Sequence, residues 1–397
     1  MHLSRYDSHL CYCSNIHPGE DWAAVFAALE RHVPAVKRAL RLGGAALGLG
    51  LRLGAAAVAE LRERPAARAA FRRWLKDENV YVYTVNGFPY GEFHEGPVKA
   101  AVYRPDWADP ARLAYTLDLA ELLAEWLPPG LDGSISTVPI GWRADFSGPE
   151  RLDAAEAQLL AAAATLYARA AAGGPRIALA LEPEPGCVWE SSAEVIDGFR
   201  RLRSAPALAA FRRHLPPALR GAGEAELLQH LGVCLDACHH AVLYEPPRLA
   251  WQRLRRAGVP VFKLQLTAAL EVSCLDAGAR RALAEWCDPV WLHQCSVLPP
   301  GGRRRFHPDL PEALAEAPDG AALRSHFHLP LHAAPGAPLA STAGEVAALL
   351  DDWRRSAACR HLEVETYTFD RLPEPLRAGG VAASLAAELD WVRARLA

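Results

Sequence analysis

IALALEPE (residues 177–184) runs through five apolar residues and then closes on two carboxylates. Side chains alternate along a strand, so Leu179 and Leu181 take one face while Ala178, Ala180, Glu182 and Glu184 share the other. Leucines suit a cover of helices. Small residues ending in an acid suit the narrow interior of a barrel that opens into a site. A carboxylate finishing a buried strand is unfavourable unless something balances its charge. LGVCLDACH (residues 231–239) repeats the pattern, with Val233 and Leu235 outward and Gly232, Cys234 and Asp236 inward. In HLEVETY (residues 361–367), Leu362 and Val364 go outward and leave His361, Glu363 and Glu365 inside. Three strand ends thus aim acids at one mouth, and a metal at the C-terminal end of a parallel barrel is the compensator such folds use.

Outward from these three runs, short apolar segments alternate with alanine- and leucine-rich ones, the pattern of βα repeats. Strands are predicted at residues 9–15, 47–53, 80–86, 133–139, 177–182, 232–236, 261–267 and 361–366. Helices are predicted at residues 21–40, 56–77, 110–126, 149–172, 192–202, 247–257 and 381–396, several opened by a cap or N1 proline such as Asp109-Pro110 or Ser191. The expected architecture is one (β/α)8 TIM barrel over residues 1–397. An insertion at about 268–340, between strands seven and eight, holds a helix (276–286), a hairpin (291–307) turning at Pro299-Pro300-Gly301-Gly302, and the strand-like SHFHLPLH (325–332). A helix at 341–358 then leads into the last strand.

The 397 residues, 51% of them hydrophobic, suffice for a decorated barrel or for two ordinary domains. A formal charge of −3 with arginines scattered among acids forms no basic stripe, so nucleic acid is not expected as a partner. Nine cysteines without paired CxxC spacing indicate a reduced, cytoplasmic protein. No uncharged stretch reaches the roughly 20 residues that span a bilayer, so no membrane insertion is expected.

Glu182, Asp236 and Glu365 are read as metal ligands because three independent strand ends agree, the alternative being ion pairs with arginine. His239 follows Asp236 by three residues and joins them, while His240 beside it reads as outward. His326 and His328 share a strand face in SHFHLPLH, a workable spacing for two imidazole ligands, although paired surface histidines on a hairpin read the same way. Lysine occurs only at 37, 76, 99 and 263. Lys263 shares an interior face with Gln265 and Thr267, where it serves either the chemistry or a salt bridge to an acid such as Glu363. Softer candidates for substrate contact are Gln265, Glu363, Asn15 and His17 after the first strand, Asn86 after the third, and His94 in the loop NGFPYGEFH.

At these residues the chain resembles the xylose-isomerase-like TIM-barrel superfamily of sugar epimerases, inosose dehydratases and endonuclease IV. Its members carry a Glu at the fifth strand end, Asp-x-x-His after the sixth, His after the seventh and Glu after the eighth. Glu182, Asp236 with His239, and Glu365 match three of the four. The seventh strand departs, offering Gln265 or Lys263, and the resemblance to endonuclease-IV-like members implies that His326 and His328 are recruited from the following insertion. The strings CSNIHPGE, NGFPYGEFH, YRPDW, YTLDLA, GSISTVP, LEPEPGC, CLDACHHAV, HFHLP and HLEVETYTF also resemble the EboE family of metabolite traffic proteins. That likeness implies a secondary-metabolite export pathway and other ebo-cluster proteins as partners.

The expectation is a divalent-metal-dependent isomerase or epimerase, with Mn, Mg, Fe or Zn, acting on a small polyhydroxylated or hydroxy-carbonyl metabolite. Glu182 and Glu365 would exchange a proton across the mouth while His239 and Lys263 polarise oxygens. A non-catalytic metabolite carrier and an endonuclease-IV-like phosphoesterase are the alternatives.

Overall fold

The computed structural model describes residues 1–94 and 96–397. Eight parallel strands close on themselves: β1 (Ser8–Cys13), β2 (Leu47–Arg52), β3 (Val80–Asn86), β4 (Gly133–Thr137), β5 (Ile177–Leu181), β6 (Leu231–Asp236), β7 (Val261–Gln265) and, after the insertion, β13 (His361–Val364). All eight expected strands are present. Most stop a residue or two early, so Glu182 and Glu365 stand just beyond the hydrogen-bonded ladder, where a mouth residue must be. Leu179, Leu181, Val233, Leu235, Leu362 and Val364 belong to one continuous apolar core with the surrounding helices.

Local signals set the helix limits. Asp21 caps Trp22–Leu40 by accepting from Ala24 N, and Ser191 with Glu194 forms a full capping box on Ser192–Leu202. The helix expected over 56–77 is instead two, Ala55–Glu63 and Pro65–Asp77, because a proline interior to a helix removes a donor and clashes with the preceding turn. Ala205–Arg213 and Glu224–His230 add helices between β5 and β6 that were not expected.

The insertion builds a second, antiparallel sheet from β8 (Ala268–Val272), β9 (Cys295–Leu298), β10 (Arg305–His307), β11 (Ala322–Leu329) and β12 (Ala340–Ser341), in the order β10-β9-β11-β8-β12. The expected hairpin is β9–β10, with Ser296 opposite Phe306. β8 was missed: it begins three residues after β7 ends, so the apolar run reads as one strand. The pairing of β11 with β8 is irregular between Ser325 and Leu329, the interval that holds His326 and His328. Such a break re-aims side chains, and here it turns two imidazoles toward the barrel mouth.

Candidate metal centre

The barrel interior is polar along its axis. In a layer below the mouth, Lys263 Nζ lies 2.5 Å from Glu363 Oε1 and 3.2 Å from Ser136 Oγ, and Cys11 Sγ donates to Glu363. Both charged groups are fully buried. Gly50 on β2 makes room for this pair, since any Cβ there would collide with the Glu363 carboxylate. Lys263 and Glu363 therefore form the salt bridge that was the alternative reading, and neither lines the cavity above.

At the mouth, Glu182, Asp236 and Glu365 bring carboxylate oxygens within 4.8 Å of one another, all buried. Burial and mutual repulsion push the Glu182 and Glu365 carboxyls well above the ordinary range. No lysine or arginine pairs with any of the three among the described residues. Glu365 is held by three amides: Asn15 Nδ2 at 2.5 Å and Asn86 Nδ2 at 2.7 Å on one oxygen, Gln265 on the other. Asp236 caps the short helix Ala237–Val242 through His239 N at 3.0 Å and accepts from Thr267 Oγ1 at 3.2 Å. Glu182 Oε2 is buried with no hydrogen-bond partner among the described residues.

Three imidazoles sit beside the acids. His239 Nε2 is 3.1 Å from His326 Nε2, which is 2.8 Å from His328 Nε2. Each Nδ1 faces an oxygen: Pro183 O at 3.0 Å, Gln294 Oε1 at 2.7 Å and Glu365 O at 2.9 Å respectively. Burial pushes all three rings to the neutral form, His239 to about 3 and His328 to about 4. A neutral ring carries one proton, and an accepting oxygen at Nδ1 claims it. Three unprotonated nitrogens are thus crowded together, an arrangement that a cation relieves. Asp236 falls within ligand distance of His239 and His328 as well as of Glu182 and Glu365.

The six expected metal ligands are brought together. Asn86 lines the cavity and Gln265 braces Glu365 from the seventh-strand position. His17 and His94 are not brought in: His17 packs against Tyr12 and stacks on His32 at 4.3 Å, and His94 bonds the Asn15 carbonyl at 2.7 Å from behind. His240 faces away and pairs with Glu245 at 2.9 Å.

Glu184, Gln294 and Tyr103 were not anticipated in the site. Glu184 Oε1 accepts from Tyr103 Oη at 2.7 Å and Gln294 Nε2 at 2.8 Å, and stands 3.6 Å from His326 Nδ1. Burial raises its carboxyl to about 7 against the pull of these two donors. The cavity over the cluster holds about 510 Å³ of empty space including its open entrance.

A closed parallel barrel with helices between its strands has solved counterparts. A xylose isomerase-like TIM-barrel protein from Mycobacterium smegmatis in complex with magnesium matches 100% of each chain at TM-score 0.50 and 10% identity. The fold is a xylose isomerase-like TIM barrel. The IOLI protein with a bound zinc atom matches 98% of this barrel and 97% of its own chain at TM-score 0.47 and 8% identity. No family model and no curated protein matches the chain. No helix among the described residues is long and apolar enough to cross a membrane.

Proposed function

We propose that this barrel is a divalent-metal-dependent enzyme of the isomerase/epimerase type, acting on a hydroxy-carbonyl or vicinal-diol metabolite. The observation that carries it is the convergence of three imidazole Nε2 atoms whose Nδ1 protons are already committed. Four buried carboxylates, Glu182, Glu184, Asp236 and Glu365, form no salt bridge with lysine or arginine among the described residues. That charge suits two divalent ions, one held by Glu182, Asp236 and Glu365 and the other by Asp236, His239 and His328 with His326 beside them. Three nitrogen donors favour Mn, Fe or Zn over Mg. A divalent ion there supplies Lewis acidity toward adjacent substrate oxygens.

The chain's own groups do the rest. Asn15, Asn86 and Gln265 keep Glu365 fixed, and Glu182, whose Oε2 has no hydrogen-bond partner among the described residues, lines the cavity. Glu184, at the cavity edge and near neutral pKa, is the group suited to carry a proton to and from an adjacent substrate carbon, a task first assigned to Glu182 and Glu365. Lys263 lies too deep to touch substrate and is paired with Glu363.

The EboE resemblance supports placing this chemistry on a secondary-metabolite precursor before export, in the cytoplasm, beside other ebo-cluster proteins. It also supports a carrier that binds the metabolite without turnover. Phosphoester cleavage finds less support, because the cavity's lysine is engaged elsewhere. Elemental analysis of the purified full-length protein tests the metal reading: His326→Ala/His328→Ala should lose bound metal, and metal content equal to the parent's overturns it.

A further inference from the structure

The cavity over the donor cluster has two unlike halves. Its floor is the acids and imidazoles. Its wall comes from loops and a short 3-10 helix: Phe88, Phe93, Val102, Trp291, Leu292 and Tyr367. Phe93, Trp291 and Tyr367 pack as one aromatic group with ring centroids 5.1–5.7 Å apart. Tyr367 also lies 4.7 Å from the His328 ring, so wall and floor meet there.

Two polar handles of the lining are already engaged. Trp291 Nε1 donates to the Phe93 carbonyl at 2.8 Å, and the Tyr103 hydroxyl donates to Glu184. Lys99, the only cation among the described lining residues, spends its ammonium on Asp309 Oδ2 at 2.6 Å and on the Asp288 and Trp291 carbonyls at 2.8 Å each. Apart from the metal the floor would hold, a phosphate entering the cavity meets three acids and no unpaired cationic side chain among the described lining residues. A sugar's many hydroxyls over the wall would give up water with little beyond the Tyr367 hydroxyl to replace it.

We propose that the substrate is an uncharged two-ended molecule: a vicinal oxygen pair, hydroxy-ketone or diol, at the floor, and a flat aromatic ring against Trp291, Phe93 and Tyr367. This rests on the metal reading above and narrows its substrate class away from free sugars and sugar phosphates.

The test is calorimetric binding to the full-length protein loaded with manganese. 2-Hydroxyacetophenone should bind about tenfold or more tighter than hydroxyacetone, which lacks the ring. Fructose 6-phosphate should bind no tighter than fructose. Trp291→Ala, with metal content unchanged, should bring the ketone ratio to within about twofold; Trp291→Leu, which keeps apolar bulk without the flat face, reads the same ratio if the alanine variant does not fold. Manganese uptake with equal affinities for the two ketones, or a clear preference for the phosphate, overturns this proposal alone. Absence of manganese uptake overturns the metal reading and this proposal with it.

Discussion

Nε2 of His326 lies 2.8 Å from Nε2 of His328, while their Nδ1 atoms face the Gln294 side-chain oxygen and the Glu365 carbonyl. The Gln294 orientation is fixed from its other end, where Nε2 donates to Glu184 and lies 3.3 Å from the Pro185 carbonyl. Two bare nitrogens therefore face each other in a buried site that already contains too many acids.

Removing metal should expose that imbalance. Chelation is expected to lower the thermal midpoint, and added manganese or zinc to restore it. In the chelated protein at pH 7, Glu182→Gln should be more stable than the parent by on the order of 1–3 kcal/mol, since Glu182 must otherwise fold against its raised pKa. The sign follows from the raised carboxyl: its penalty is absent below the unfolded pKa near 4.5 and grows as pH rises. Thermal unfolding of both proteins with and without metal checks this, and a less stable chelated Glu182→Gln at pH 7 contradicts it.

Gln294→Leu removes the oxygen that holds the His326 proton at Nδ1 and frees that ring to turn. Metal affinity should fall about 10–100-fold with little change in fold. Competition titration against a fluorescent chelator measures it. Unchanged affinity would mean that Gln294 only fills space.

The barrel was legible because its strands obey one rule, apolar outside and small or polar inside, and three of them end on acids at the same height. The imidazole pair was legible because two residues along a strand share a face. What lay hidden comes from chain segments with no periodicity. Tyr103, Gln294, Phe93 and Trp291 meet only because the loop after β3 and the loop before β9 close over one mouth. Glu184 showed its face but not its role, since the Tyr103 and Gln294 that hold it are 81 and 110 residues away. The break at Pro65 was visible in the sequence, as the proline itself is the signal.

Lys263 and Glu363 are fully buried partners. Lys263→Met should cost about 3–5 kcal/mol, because it strands a carboxylate in the barrel axis. Lys263→Met/Glu363→Gln should recover most of that loss and keep its metal, since neither side chain reaches the mouth. Urea unfolding and metal content of both variants test the pair. A double variant as unstable as the single one would show that the lysine acts through more than Glu363.

Glu388, on the closing helix Gly380–Leu396, is buried and accepts from Thr366 Oγ1 at 2.9 and 2.8 Å and from Leu331 N at 3.2 Å. It ties that helix to the turn after Glu365 and to the loop after β11. Burial raises its carboxyl from 4.5 to about 8 despite these donors. Between those values the unfolded chain has released the proton and the folded chain keeps it, so stability falls as pH rises, by about 1.4 kcal/mol per pH unit from this group. Below 4.5 both states are protonated and the effect vanishes. Glu388→Gln retains the hydrogen-bonding shape without the proton. It should match the parent near pH 4.5 and exceed it by on the order of a few kcal/mol at pH 8. Parallel stability curves for the two proteins between pH 4.5 and 8 would show that Glu388 is ionised in the folded state.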